Sequence, residues 1–329
     1  METTCSAEPI VSAWREPMPI RWDVLGVGAV AIDDVLFVEG FPRPNEKRRV
    51  SQVVRRCGGL TGTALLAAAA WGARCRYGGR LGTDEASQFV AKCFREFDIA
   101  IDENAVSPEH GVAYSTIVVD TTSGDRTVLA HPCAGLGPIP GHPTRDEIRS
   151  AGCVLVDHHS PAETAAIVET ARELGVPVVA DLERRTEGPF DTIVARIDHL
   201  IVGVGFARAY LDRPEATAAE LVEALWNDDR VLVAITEGHR GCTFRTCDGN
   251  GIMHQPAVSV VSRDTTGCGD VFHGIYAAAI AAGQDGVAAI RLATAAGAAK
   301  AKGPSRPQAV PMRCDVEDML DAVPEVRLL

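Results

Sequence analysis

Short apolar runs rich in β-branched residues alternate along this chain with longer stretches whose apolar positions recur every three to four residues. That change of period predicts strands followed by helices. Trp22 to Asp33 reads as a buried first strand, and Asp33 to Val38 keeps strand character. Alternation in Arg49 to Val54, among Lys47, Arg48, Arg49, Arg55 and Arg56, predicts an exposed edge strand protected by charge. Gly58 and Gly59 open an Ala-rich helix, Ala64 to Ala73. A short strand and turn, Cys75 to Asp84, follows, with Asp84 as N-cap of a helix through Phe97. Val112 to Val119 and Arg126 to His131 read as a hairpin.

From Cys153 the rhythm is strand, helix, strand. Cys153 to Val156 is a strand, and Ser160-Pro161-Ala162-Glu163 predicts an N-cap with a capping box for a helix closed by Gly175. Val176 to Ala180 is the next strand, closed by Asp181, and Leu200 to Val202 another. Thr217 caps a helix to Trp226, Val231 to Ile235 is a buried strand, and 242–246 with 251–254 form a hairpin. Val258 to Val261 reads as a strand leading into Asp264-Thr265-Thr266-Gly267-Cys268-Gly269-Asp270. Helices follow from Val271 to about Ala282 and from Asp285 to Lys302, closed by Gly303. The alternation predicts an α/β fold, a doubly wound, mostly parallel sheet in a Rossmann-like three-layer arrangement. Residues 1–20 read as a loose tail and 21–329 as one domain, with small β-strands at about 33–57 and 112–131 forming a lid.

Composition narrows the function. The 329 residues are 46% hydrophobic, enough for a large core, and the net charge of −12 argues against nucleic acid or an anionic membrane as partner. The 10 cysteines carry no C-x-x-C pair and no metal-ligand spacing, as expected of free thiols in a reducing cytoplasm. There is no signal-like apolar segment at the start and no run of about 18 apolar residues.

Chemistry concentrates at Asp264 to Asp270. A Gly-containing turn before a helix leaves the N–H groups of Gly267, Cys268 and Gly269 facing outward, where the helix dipole adds partial positive charge. Such a terminus attracts a phosphate or a developing oxyanion, and Asp270 in the first turn can take a proton from a hydroxyl held before it. A plain Gly-rich turn with an acidic helix start has the same appearance. Gly26-x-Gly28-x-x-Ala31 resembles a dinucleotide fingerprint but runs into strand-like residues instead of a helix, so a nicotinamide site is rejected. Asp33 and Asp34, at the far end of the first strand, are placed to bind sugar hydroxyls.

In this order the motifs resemble the ribokinase-like (PfkB) family of carbohydrate kinases over essentially residues 22–312. Gly58-Gly59, the helix after them and Gly79-Arg80-Leu81-Gly82-Thr83-Asp84 resemble its N-terminal signature; Asp264 to Asp270 resembles its C-terminal one, with Cys268 where Ala is usual. The resemblance implies ATP-dependent phosphorylation of a sugar-like hydroxyl, with Mg²⁺ on the nucleotide. Asp270 would be the general base and the Gly267, Cys268 and Gly269 amides the anion hole. Asp33, Gly58 and Gly59 would meet the acceptor sugar, while Thr236, Gly238, Thr266 and Gly303 would lie along the nucleotide. In relatives that use a monovalent cation such as K⁺, the positions of Asp264 and Thr266 contribute to its site. The lid is commonly also the surface of a homodimer.

Two departures stand out. Gly203-Val204-Gly205-Phe206 replaces an Asn and Glu pair that helps organise Mg²⁺ and phosphate in relatives of ribokinase type. Thr63 replaces an Asn that touches the sugar. Thr63 and Asn45-Glu46-Lys47 are similar to the branch that includes sulfofructose kinases, which favours a ketose or anionic ketose, with Lys47 near its anionic group. The alternatives are a nucleoside kinase of the same fold, disfavoured by only 5% aromatic residues, and a non-catalytic sugar or nucleotide sensor.

Overall fold

The computed structural model describes residues 21–131, 133, 135–249, 251–303, 308 and 310–329; the tail expected at 1–20 lies outside them. In chain order come β1 (Trp22–Val27), β2 (Ala31–Val38), β3 (Val50–Gly58), α1 (Leu60–Trp71), β4 (Cys75–Tyr77), α2 (Glu85–Glu96) and β5 (Ala100–Ile101). Then follow β6 (Ala113–Asp120), β7 (Arg126–His131), α3 (Arg145–Arg149), β8 (Ala151–Asp157), α4 (Pro161–Leu174) and β9 (Val178–Asp181). The middle continues with α5 (Phe190–Arg196), β10 (His199–Gly203), α6 (Val204–Leu211), α7 (Ala218–Leu225) and β11 (Leu232–Thr236). The rest is β12 (Cys242–Thr246), β13 (Ile252–Gln255), α8 (Cys268–Ala281), α9 (Gly286–Lys302), α10 (Arg313–Leu320) and β14 (Arg327–Leu328).

Two sheets result. The larger runs β14-β13-β12-β11-β10-β9-β8-β1-β4-β5, parallel from β11 to β5 and antiparallel through β12, β13 and β14. Its central strands are apolar on both faces because helices cover both. One layer packs α1, α8 and α9 around Leu65, Leu66, Tyr276 and Ile290; the other packs α4, α5 and α7 around Ile167, Phe190 and Leu221. The smaller sheet, ordered β3-β2-β6-β7, is built from the residues expected to form a lid, with β3 and β7 as its edges. Helix α8 crosses α1 almost backbone to backbone: a Cβ on Gly274 would stand 2.0 Å from the Ala64 carbonyl oxygen.

Three expectations need correction. Residues 22–33 are two strands in two sheets, because the chain turns at Gly28-Ala29. The Ala29 N–H donates to the buried Asp157 carboxylate (2.6 Å), and a Cβ at Gly28 would overlap that carboxylate. Asp33 therefore lies within lid strand β2 and not at the end of β1. Val258 to Val261 is no strand. The edge beside β13 is taken by β14, so this run has no ladder to join, and Val261 is 85% exposed. Ser160 does not cap α4: its backbone is left-handed (φ 46°), and its hydroxyl donates to Leu136 O (2.7 Å) while accepting from Arg80 (3.1 Å).

The other caps form as the sequence predicts. Asp84 accepts from Ser87 N–H, Thr217 and Glu220 make a capping box, and Asp285 accepts from Ala288 N–H. No helix is expected from the sequence at α3, α5, α6 or α10.

Candidate active site

The carboxyl ends of the parallel strands bring together Val27, Asp157, Asp181, Gly203 and Thr236 along one edge of the large sheet. Register sets Asp157 beside Asp181 and Gly203 beside Thr236. Ligands bind beyond such an edge in open α/β sheets. Two helices start there side by side. Helix α1 begins after Gly59 (φ 83°) and α8 after Gly267 (φ 77°), both conformations that glycine adopts without strain. The Thr63 methyl in the first turn of α1 lies 3.2 Å from where a Gly267 Cβ would be.

Asp270, in the first turn of α8, is partly exposed in this cleft. Its carboxyl is held well above the usual range, first by burial and then by the negative charges of Asp181, Glu183 and Asp33; Arg126 opposes them. A carboxylate kept short of stabilising partners is a competent proton acceptor. The amide row is narrower than the sequence implies. Cys268 N–H donates to Thr265 O (3.3 Å), closing the turn. The N–H groups of Gly267, Gly269 and Asp270 make no hydrogen bond among the described residues, so they face the cleft as donors. The Cys268 thiol is half-buried, and desolvation pushes it up to about 11, hence protonated.

Asp33 stands on the lid side. A Cβ on Gly58 would fall 1.9 Å from Asp33 Oδ2, so the absence of a side chain there makes room for the carboxylate. Burial raises its pKa to about 6, against a Ser115 hydrogen bond and the charge of Arg56. Its neighbour Asp34 is structural, bound in two contacts by Arg55 (both 2.8 Å) and by the Tyr114 hydroxyl. A Cβ on Gly59 would strike Ala29 O at 2.6 Å. Lys47 is exposed on the loop between β2 and β3.

Thr236 closes β11, with Gly238 (φ 60°) just after it. Gly303 (φ 84°) ends α9 and packs over Arg263, whose N–H donates to Ala301 O. The positions expected to lie along a nucleotide thus fall at the ends of β11 and α9 and in the turn before α8. Asp264 is buried and accepts from Thr266 N–H (2.9 Å) and Arg56 (2.7 Å), with the Lys300 ammonium at 3.5 Å. Despite burial, these charges hold it down to about 2.

Where an Asn and Glu pair was missing, the structure offers no oxygen ligand: Gly203 has no side chain, and Phe206 packs between Phe190 and Tyr210. Acids stand instead on the adjacent strand. Asp181 is buried, with Oδ2 unpartnered by any hydrogen bond although His273 Nδ1 is 3.2 Å away, and Glu183 follows two residues later. The His273 ring is turned toward two carbonyls, Gly269 O (2.8 Å) and Ile201 O (2.9 Å). Burial, then Glu183 and Asp157, push the Asp181 carboxyl well up.

Asp157 holds the floor together, accepting from Ala29 N–H, Thr61 Oγ1 (3.0 Å) and His159. A shallow depression lined by Leu211, Arg213, Glu220 and Ile252 lies on the layer opposite α8 and takes no part.

Sequence reasoning missed Asp157, Asp181, Glu183, Arg56, Arg126 and Lys300 as members of this site. The available signal was an acid closing two predicted strands; the cations come from elements too distant in sequence to associate.

Residues 23–308 match the model of the pfkB family of carbohydrate kinases. The bifunctional ribokinase/ribose-5-phosphate isomerase A of Fructilactobacillus sanfranciscensis is 27% identical over 266 residues, covering 77% of this chain and 48% of that protein. The chain thus spans about half of that relative. Bacillus subtilis ribokinase is 24% identical over 300 residues, covering 89% of this chain and 98% of the relative. Among solved structures, a provisionally assigned ribokinase from Agrobacterium tumefaciens superposes with a TM-score of 0.82 at 25% identity, covering 91% of this chain and 97% of the other.

Proposed function

The chain belongs to the pfkB family of carbohydrate kinases, and from that premise we propose that it transfers the γ-phosphoryl group of ATP to a hydroxyl of a small sugar or sugar derivative. The observation that carries this reading is Asp270. It is an uncompensated carboxylate beside the open N–H groups of Gly267 and Gly269, at the mouth of a cleft whose other wall holds Asp33.

Asp33 and the backbone at Gly58 and Gly59 hold the acceptor. Asp270 takes the proton of the acceptor hydroxyl as its oxygen attacks the γ-phosphorus. The bond to the β-phosphate oxygen breaks, and ADP leaves. The helix N-terminus faces the charge that spreads over the transferred group, which is the main service such reactions need from a protein. Thr236, Gly238, Thr266 and Gly303 line the nucleotide.

Magnesium would neutralise the phosphates when bound with ATP. Gly203 and Phe206 offer it nothing, whereas Asp181, whose buried Oδ2 lacks a partner, and Glu183 fit a divalent ion that keeps part of its water shell. A ketose or anionic ketose is the favoured acceptor. Thr63 is shorter than an Asn would be, and the lid brings Arg126 close enough to act on Asp270 and so on an anionic group.

The lid also supplies the surface for a second copy of the chain. Val53 on β3 and Leu129 on β7 are 62% and 55% exposed apolar residues on its two edge strands. Leu129→Arg should convert a dimer to a monomer by light scattering.

The activity test is ADP release with ATP over ketoses, sugar acids, aldoses and nucleosides. Turnover with a sugar supports the reading, preference for nucleosides replaces it, and silence across the panel with ATP binding intact points to a sensor.

A further inference from the structure

We propose that the ammonium of Lys300 is a built-in substitute for the monovalent cation implied at Asp264 and Thr266, so that this protein works without K⁺. Lys300 sits in the last turn of α9, with its side chain 3% exposed. Its Nζ lies 3.3 Å from the Asp264 carbonyl oxygen and 3.5 Å from Asp264 Oδ2. A cation at this position would coordinate those same two oxygens, and an alkylammonium matches a potassium ion in charge and closely in size. The two cannot occupy the place together. Arg56 already donates to Asp264 Oδ2 at 2.7 Å, so one carboxylate faces two fixed positive charges, and a third would be repelled.

The position suits the task a cation would perform. Lys300 Cε is 3.9 Å from where a Gly267 Cβ would stand, directly behind the turn that presents the Gly267 and Gly269 amides. Its charge thus lies under the anion hole, and its contact with Asp264 holds the start of that turn. Thr266 Oγ1 is buried and has no hydrogen-bond partner among the described residues.

The test uses the whole protein in KCl or tetramethylammonium chloride at equal ionic strength. It reads thermal unfolding and, separately, ADP release. Unfolding needs no substrate, so this arm stands even if the kinase reading fails. The unaltered protein should unfold at the same temperature in both salts and, where active, turn over at the same rate. Lys300→Ser, which leaves a cavity lined by oxygens, should unfold several degrees higher in KCl and regain in K⁺ most of the rate it loses. Lys300→Met, which fills the space without charge, should gain nothing from K⁺. Stabilisation or activation of the unaltered protein by K⁺ would overturn the proposal, as would a folded Lys300→Ser indifferent to K⁺. If neither variant folds, the salt response of the unaltered protein decides alone.

Discussion

The Arg56 guanidinium on lid strand β3 meets the Asp264 carboxylate of the loop before α8 at 2.7 Å, with both side chains nearly buried. It is matched on the other side of the lid by Arg126 of β7, which donates to Thr265 Oγ1 at 2.7 Å. The lid is therefore pinned at both edges to the loop that carries the amides. Arg56→Met should lower stability by about 1.5–3 kcal/mol, the usual range for a hydrogen bond to a charged group. It should reduce kcat/KM for the acceptor more than kcat/KM for ATP. Equal loss for both substrates would show that the pin serves stability alone.

Asp270→Asn should retain ATP and acceptor binding while kcat falls roughly 10²–10⁴-fold, the usual contribution of a general base. Stability should move the opposite way. Because the folded carboxyl is held above its unfolded value, its contribution is present below the ordinary pKa of about 3.9 and is lost as pH rises through the raised value. Removing the charge relieves that cost, so the variant should unfold a few degrees higher at neutral pH. An inactive variant that is also less stable would contradict the electrostatic account.

Acceptor affinity should be pH-dependent through Asp33, whose pKa is raised to about 6. As an acceptor of sugar hydroxyl protons it must be ionised, so affinity measured by calorimetry in the Asp270→Asn background should weaken as pH falls through 6. A flat profile from about pH 5 to 8 would remove Asp33 from the acceptor site.

Cys268→Ala should leave kcat and KM within about twofold, since only backbone is used there, and alkylation at neutral pH should be slow because the half-buried thiol is raised to about 11. A large loss of rate would mean that the sulfur itself takes part.

Glu183→Gln should raise the Mg²⁺ concentration needed for half-maximal rate, with little change in acceptor KM. An unchanged magnesium titration would return the question to the backbone around Gly203.

The fold was legible where local chemistry decides it. The caps at Asp84, Thr217 and Asp285 and the lid hairpin formed as the residue pattern implies. It was not legible where tertiary competition decides. Val258 to Val261 has the composition of a strand but no free edge, and Ser160 has the composition of a cap but a hydroxyl drawn to Leu136 O. The site divides in the same way. Asp33, Gly58, Gly59 and Asp264 to Asp270 are compact motifs, whereas Arg56, Asp181 and Lys300 reach it from separate elements, and no spacing rule links them.

The dovetail of Gly274 into Ala64 has a consequence for how such an enzyme can change its diet. On the proposed mechanism the acceptor would sit at the start of α1 and the phosphoryl group at the start of α8, and the two helices are joined at this crossing with no Gly274 side chain between them. Neither can shift without carrying the other, so the distance between the reacting groups is inherited as a fixed gauge. New acceptors must then be accommodated from above, by the length and charge of the strands and loop that close over the cleft. Diversification should therefore concentrate between residues 33 and 57 and along β7, while the crossing beneath them stays unaltered.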